Sequence, residues 1–178
     1  MKYVASLPTM PTYLEQFVRS RSGYCDVEKT TLSLQGFQAA AMMLKRDLVP
    51  FADEETARKK WPTAFTGVRV GLPELRLKHA RDGMDDCLFV LGPNCASEVV
   101  GILTAFFDLS LMQEWTVTLA EYTKLMMVPE KKRFILAFLE RYSIEYSERN
   151  YCAIEKRLLR IINSVEHKAP ITESGTEI

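Results

Sequence analysis

Histidine, paired cysteines and glycine-rich loops are scarce in this chain of 178 residues, and each scarcity closes off a chemistry. The only histidines are His79 and His167, so a Ser–His or Cys–His nucleophile has almost nowhere to find its base. His79 also points away from the stripe Leu77, Ala80, Met84, Cys87, Leu88, Leu91 of its own segment, the position of a solvent-facing side chain. The four cysteines, Cys25, Cys87, Cys95 and Cys152, include no CxxC pair, which excludes a zinc ribbon, a zinc finger and a thioredoxin-like centre. With no basic and apolar leader at the start, these thiols read as reduced, and a cytoplasmic location is expected.

No GxGxxG and no GxxxxGK[ST] occurs among the 8 glycines, which argues against a nucleotide hydrolase. Asp85 and Asp86 are neighbours on a helical pattern and diverge by about 100°, wrong for sharing a metal or a proton. Glu140, Glu148 and Glu155 lack the ExxH partner that a helical di-metal site needs. The sequence therefore predicts no enzyme, no cofactor and no metal centre. Long apolar runs are missing too: Val99 to Met112, about 14 residues interrupted by Asp108, falls short of the roughly 20 that cross a bilayer, so no membrane contact is expected.

What is present is the balance of a folded protein, 47% hydrophobic and 26% charged. Apolar residues recur at three and four. Pro11 to Gly23 reads as a first helix, and Ser33 caps a second that runs toward Pro50. Asp53 caps a short third helix ending in Lys59 and Lys60, and Pro73 opens a fourth that runs to Leu91. Val68 to Leu72 alternates, but one strand cannot make a sheet, so it reads as loop. Ala96 to Met112 is apolar on nearly every side and belongs at the centre of the fold, with a bend expected near Gln113. Helices after Pro129 and around Tyr151 to Val165 complete an all-α, single globular domain of six to eight helices over 1–167, with 168–178 a disordered tail.

The formal charge is zero, from 23 bases and 23 acids, which disfavours a generally basic nucleic-acid binder but conceals segregation. Arg58, Lys59, Lys60, Arg69, Arg76, Lys78 and Arg81 share the stretch 58–81 with only Glu74, a formal +6. The stretch 82–123 carries seven acids and no Lys or Arg. The two blocks either compensate each other or leave those seven bases as a binding surface for an acidic partner or a phosphate backbone.

Val68-Arg69-Val70-Gly71-Leu72-Pro73, followed by Ala80-Arg81, resembles the stretch of globin-coupled sensors in which an Arg and a Gly-Leu-Pro turn open a helix. Ile102 to Trp115 is similar to the late helix of that domain, and His79-Ala80-Arg81-Asp82 is similar to the Cys-Ala-Arg-Asp of phycobiliproteins. The resemblance implies a globin-like helical fold. The position of the family's haem-binding His, two residues before Arg69, is Gly67, and His79 replaces the bilin-bearing Cys. Together these features lead to the expectation of a non-catalytic regulatory or sensory helical domain acting through protein contacts or self-association. Met42, Met43, Met84, Met112, Met126 and Met127 suit an adaptable apolar pocket in its core, although methionine is also an ordinary core filler. The alternative is a helical assembly or nucleic-acid-binding protein using the basic stretch 58–81.

Overall fold

The computed structural model describes residues 2–7, 10–24, 31–71 and 88–166. Within them the protein is mostly helical, with six α-helices, but it is not all-α: two three-stranded sheets are present. The chain divides into two compact units, one formed by 1–107 with 140–145 and the other by 108–139 with 146–178.

The first unit holds both sheets. β1 (Lys2–Val4) runs parallel to β6 (Leu88–Leu91), which pairs on its other side with antiparallel β4 (Leu48–Phe51). β5 (Val68–Gly71) is the middle strand of the second sheet, between antiparallel β2 (Ser6–Leu7) and parallel β3 (Thr31–Ser33). Strands of two to four residues are too short to show a period of two, and the partners of Val68–Gly71 come from segments far away in sequence. Hence the expectation of a loop there is corrected to a central strand. The end expected for the fourth helix, Leu88–Leu91, is likewise a strand, buried at all four positions as a central strand should be. Pro50 sits in β4, at the edge of its sheet, where its missing N–H costs no ladder bond on the open side.

Helix α1 (Thr12–Ser22) follows Pro11 and ends on Gly23 at φ 69°, as the sequence predicts. α2 (Gln38–Arg46) is shorter than expected: Ser33 belongs to β3, and the helix opens after Phe37 without a side-chain cap. α3 (Glu54–Lys60) is capped by Asp53, whose Oδ1 accepts from the Thr56 backbone N–H at 2.7 Å. A 3₁₀ turn, Pro62–Phe65, follows. The core of this unit is aromatic. Phe17 packs against Phe107 and Tyr142 with ring centroids 5.1 and 5.0 Å away, and Tyr13 adds a second contact to Phe107 at 5.0 Å. A smaller core of Phe51, Ala57, Ala64, Leu88 and Val90 is covered by Trp61 and Phe65.

α4 (Pro93–Lys124) is one unbroken helix of 32 residues, without the bend expected near Gln113. It buries Val99, Leu103, Phe107 and Leu111, a single i, i+4 stripe, and leaves Phe106, Leu109, Met112, Val117 and Leu119 exposed. The central placement expected for this segment is thus corrected to one-sided burial. By length and composition alone, Asn94–Lys124 is long and apolar enough to cross a membrane.

The second unit contains the later part of α4, most of α5 (Lys131–Arg141) and α6 (Glu148–Glu166). Leu111, Phe134, Ile135, Phe138, Leu139, Ile154 and Leu158 are among its buried residues, and Trp115 stands edge-on to Phe134 at 5.0 Å. Arg157 Nη1 donates to both carboxylate oxygens of Asp108, at 2.8 and 2.7 Å. The segment expected as a disordered tail, 168–178, lies outside the described residues.

Candidate functional site

The basic stretch singled out from charge counting enters the fold through two elements, α3 and β5. Asp53 and the acids Glu54 and Glu55 stand at the positive end of α3, and Arg58, Lys59 and Lys60 at its negative end, so the whole helix is arranged with its dipole. The Thr56 backbone N–H and hydroxyl hold the Asp53 carboxyl below its usual range, which keeps the cap ionised. Each base then has a local occupation. Arg58 Nη2 lies 2.6 Å from Glu54, and its guanidinium carbon sits 4.4 Å above the centre of the Phe65 ring. Lys59 pairs with Glu55 at 2.7 Å. The Lys60 ammonium lies 5.5 Å from the Trp61 ring and 5.8 Å from that of Phe51.

Arg69 differs. It projects from β5, exposed, with Ser6 and Thr31 as its register partners on the two flanking strands. Among the described residues no hydrogen bond or ion pair engages its side chain. Arg58 and Arg69 nevertheless meet at one place, an open cleft of about 340 Å³ lined also by Ala5, Thr31, Glu54, Phe65 and Val70. On β2, opposite Arg69, the Ser6 hydroxyl is buried without a partner among the described residues. Leaving a hydroxyl in that state costs about 1–3 kcal/mol.

Of the seven bases predicted to bind, the structure therefore brings Arg58 and Arg69 together and leaves Lys59 and Lys60 outside the cleft lining. Arg76, Lys78 and Arg81 lie outside the described residues, as do His79, Asp85 and Asp86. Phe65, Glu54 and Thr31 also line the cleft, with Ala5 and Val70, and were not foreseen. The spacing of Glu54 and Arg58, four residues on one helix, was available as a signal; Thr31 carried none, because its place depends on the pairing of β3 with β5.

Two guanidiniums and the Thr31 hydroxyl line this cleft, and Glu54 pairs with the guanidinium of Arg58. Among the described residues no histidine lines it. Among the described residues no three His, Cys, Asp or Glu side chains group to hold a metal ion. The methionines expected to suit a core pocket are mostly outside: Met42, Met112, Met126 and Met127 are exposed, Met43 is half-buried, and Met84 lies outside the described residues.

One thiol is also placed among charges. Cys95 is buried near the start of α4, and its Sγ lies 3.8 Å from the Met43 carbonyl oxygen. Burial, reinforced by the Asp47 carboxylate, pushes the thiol up to about 12, so it stays protonated at neutral pH. Asp47 is held below the usual carboxylate range by the Cys95 thiol and then by Arg46. No family model, curated protein or solved structure matches the chain.

Proposed function

We propose that the protein is a non-catalytic regulatory domain whose cleft between α3 and β5 receives an acidic segment of a protein partner. The convergence of Arg58 and Arg69 on one lined cleft is the observation that carries this reading. A carboxylate from a partner would meet Arg69 directly and compete with Glu54 for Arg58. The reading keeps the regulatory role through protein contacts expected from the sequence and seats it in a polar cleft.

The alternative, a nucleic-acid or assembly function, draws on the same bases. It is less well supported by the rings. Phe65 already carries Arg58 over its face, and Trp61 packs edge-on to Phe51 at 5.2 Å, so neither is set out as a platform for bases.

Titration of the full chain with a glutamate-rich peptide and with mixed-sequence single-stranded DNA tests the proposal. Peptide binding that Arg69→Glu weakens about tenfold or more is the expected result, with Lys59→Glu as a control that changes it little. No binding of the peptide by the native chain, or equal binding by Arg69→Glu, would overturn it. Preference for DNA with a steep salt dependence would instead favour the alternative.

A further inference from the structure

The turn joining α4 to α5 breaks two rules at once. Leu125, Met126, Met127 and Val128 are 68%, 98%, 59% and 89% exposed, four consecutive apolar side chains at the tip of the helix pair. Hydrophobic burial does not place them there, and neither does backbone preference. The Met126 N–H reaches the Thr123 carbonyl and the Met127 N–H reaches back to Tyr122, both at 3.0 Å, which is the hydrogen-bond pattern that closes a helix over a left-handed residue. That residue is Met126, at φ 53°. Glycine is the residue this conformation favours, yet a long apolar side chain occupies it and is held out in solvent.

The charges around the tip are equally out of place. Lys124 precedes it, and Lys131, Lys132 and Arg133 follow, forming the first turn of α5, where no acid accompanies them. Cations at that end oppose the helix dipole. All four are exposed, and among the described residues none of them has an ion pair or a hydrogen bond through its side chain. With Glu130, the stretch 124–133 carries a formal +3 around four apolar side chains.

We propose that this tip is a membrane-docking element: Leu125, Met126, Met127 and Val128 insert shallowly into the surface of an anionic phospholipid bilayer, while Lys124, Lys131, Lys132 and Arg133 engage its headgroups. Shape and charge together select this occupant. A protruding apolar point needs a medium that closes around it, and acyl chains do so without a preformed pocket. The flanking bases face the negative potential of an anionic leaflet, and long lysine stems allow their ammonium groups to stay at headgroup level while the tip goes deeper. The protein lies on the bilayer in this account and does not cross it.

Co-sedimentation of the full chain with vesicles tests the proposal. Vesicles of phosphatidylcholine mixed with phosphatidylserine should carry the protein down, and vesicles of phosphatidylcholine alone should carry much less. Neutralising Lys131, Lys132 and Arg133 to Gln should weaken the binding roughly tenfold or more, since each base near an anionic surface contributes several-fold. Met126→Glu with Val128→Glu should abolish it while circular dichroism and the melting temperature stay close to native, because both side chains are exposed. Met126→Gly should weaken it while leaving the helix end intact or firmer. Absence of native binding to the anionic vesicles, or equal binding by the double glutamate variant, would overturn the proposal. So would a native dimer in light scattering that the double glutamate variant dissociates, which would assign the tip to a second copy of the chain.

Discussion

Two basic triplets occupy helix turns in this protein, and they are built in opposite ways. Arg58, Lys59 and Lys60 close α3, at the end where the dipole welcomes cations; two of them pair with acids four residues earlier, and Arg58 and Lys60 lie near aromatic rings. Lys131, Lys132 and Arg133 open α5, at the end where cations are unwelcome, beside an apolar turn that faces solvent. The first triplet is largely explained by its own helix, which is why the proposed cleft rests on Arg58 and on Arg69, whose side chain no ion pair engages among the described residues. The second is explained by nothing within the described fold. Local charge density alone does not distinguish a structural base from an available one; helix end and pairing do.

The largest expected effect contrasts buried with exposed apolar residues in the two units. Phe107→Ala should destabilise the protein by about 3–5 kcal/mol, since its ring is fully buried among Tyr13 and Phe17. Met126→Ala, though it also removes a large side chain, should change stability by less than about 0.5 kcal/mol in urea unfolding. A large loss at Met126 would mean that the tip is packed in solution and would break the comparison. Next, Arg157→Ala should cost about 1–2 kcal/mol, because Asp108 would lose both hydrogen bonds in a half-buried setting. A smaller gain is expected for Met126→Gly, up to about 1 kcal/mol, from relief at the left-handed position.

The smallest effect is confined to alkaline pH. The Cys95 thiol is raised in the folded protein from 9.0 to about 12, so the folded state holds its proton where the unfolded chain releases it. Its contribution to stability is complete below pH 9 and is lost as pH rises toward 12. Cys95→Ala should therefore flatten the decline of melting temperature above pH 9 relative to the native chain. An identical decline in both would show that Cys95 ionises normally.

Helices were legible where their ends carry chemistry: Gly23 after α1, Asp53 before α3 and Pro129-Glu130 before α5 each mark a boundary that the structure keeps. Strands were not legible, because each is two to four residues long and takes its meaning from a distant partner, as Arg69 does from Ser6 and Thr31. Leu88–Leu91 shows the ambiguity directly, since a continuous apolar run fits a helix end and a buried strand equally. Half of the cleft could be read from the charge excess at 58–81, but the convergence of Arg58 with Arg69 needed the sheet. The tip was hidden for another reason. Leu-Met-Met-Val reads as core in any composition, and only its backbone angle and exposure reveal that it faces out.

Thermal unfolding of two charge-reversed variants tests the central contrast most directly. Reversing Arg58, Lys59 and Lys60 to Glu removes two helix pairs and opposes the α3 dipole, so its melting temperature should fall below native. Reversing Lys131, Lys132 and Arg133 to Glu places acids at the start of α5, so its melting temperature should rise, by an amount corresponding to roughly 1–2 kcal/mol at low salt. Opposite signs, both shrinking as salt is added, are the predicted result. Shifts of the same sign would contradict the account, since the α5 bases would then be supporting the fold in the way the α3 bases do.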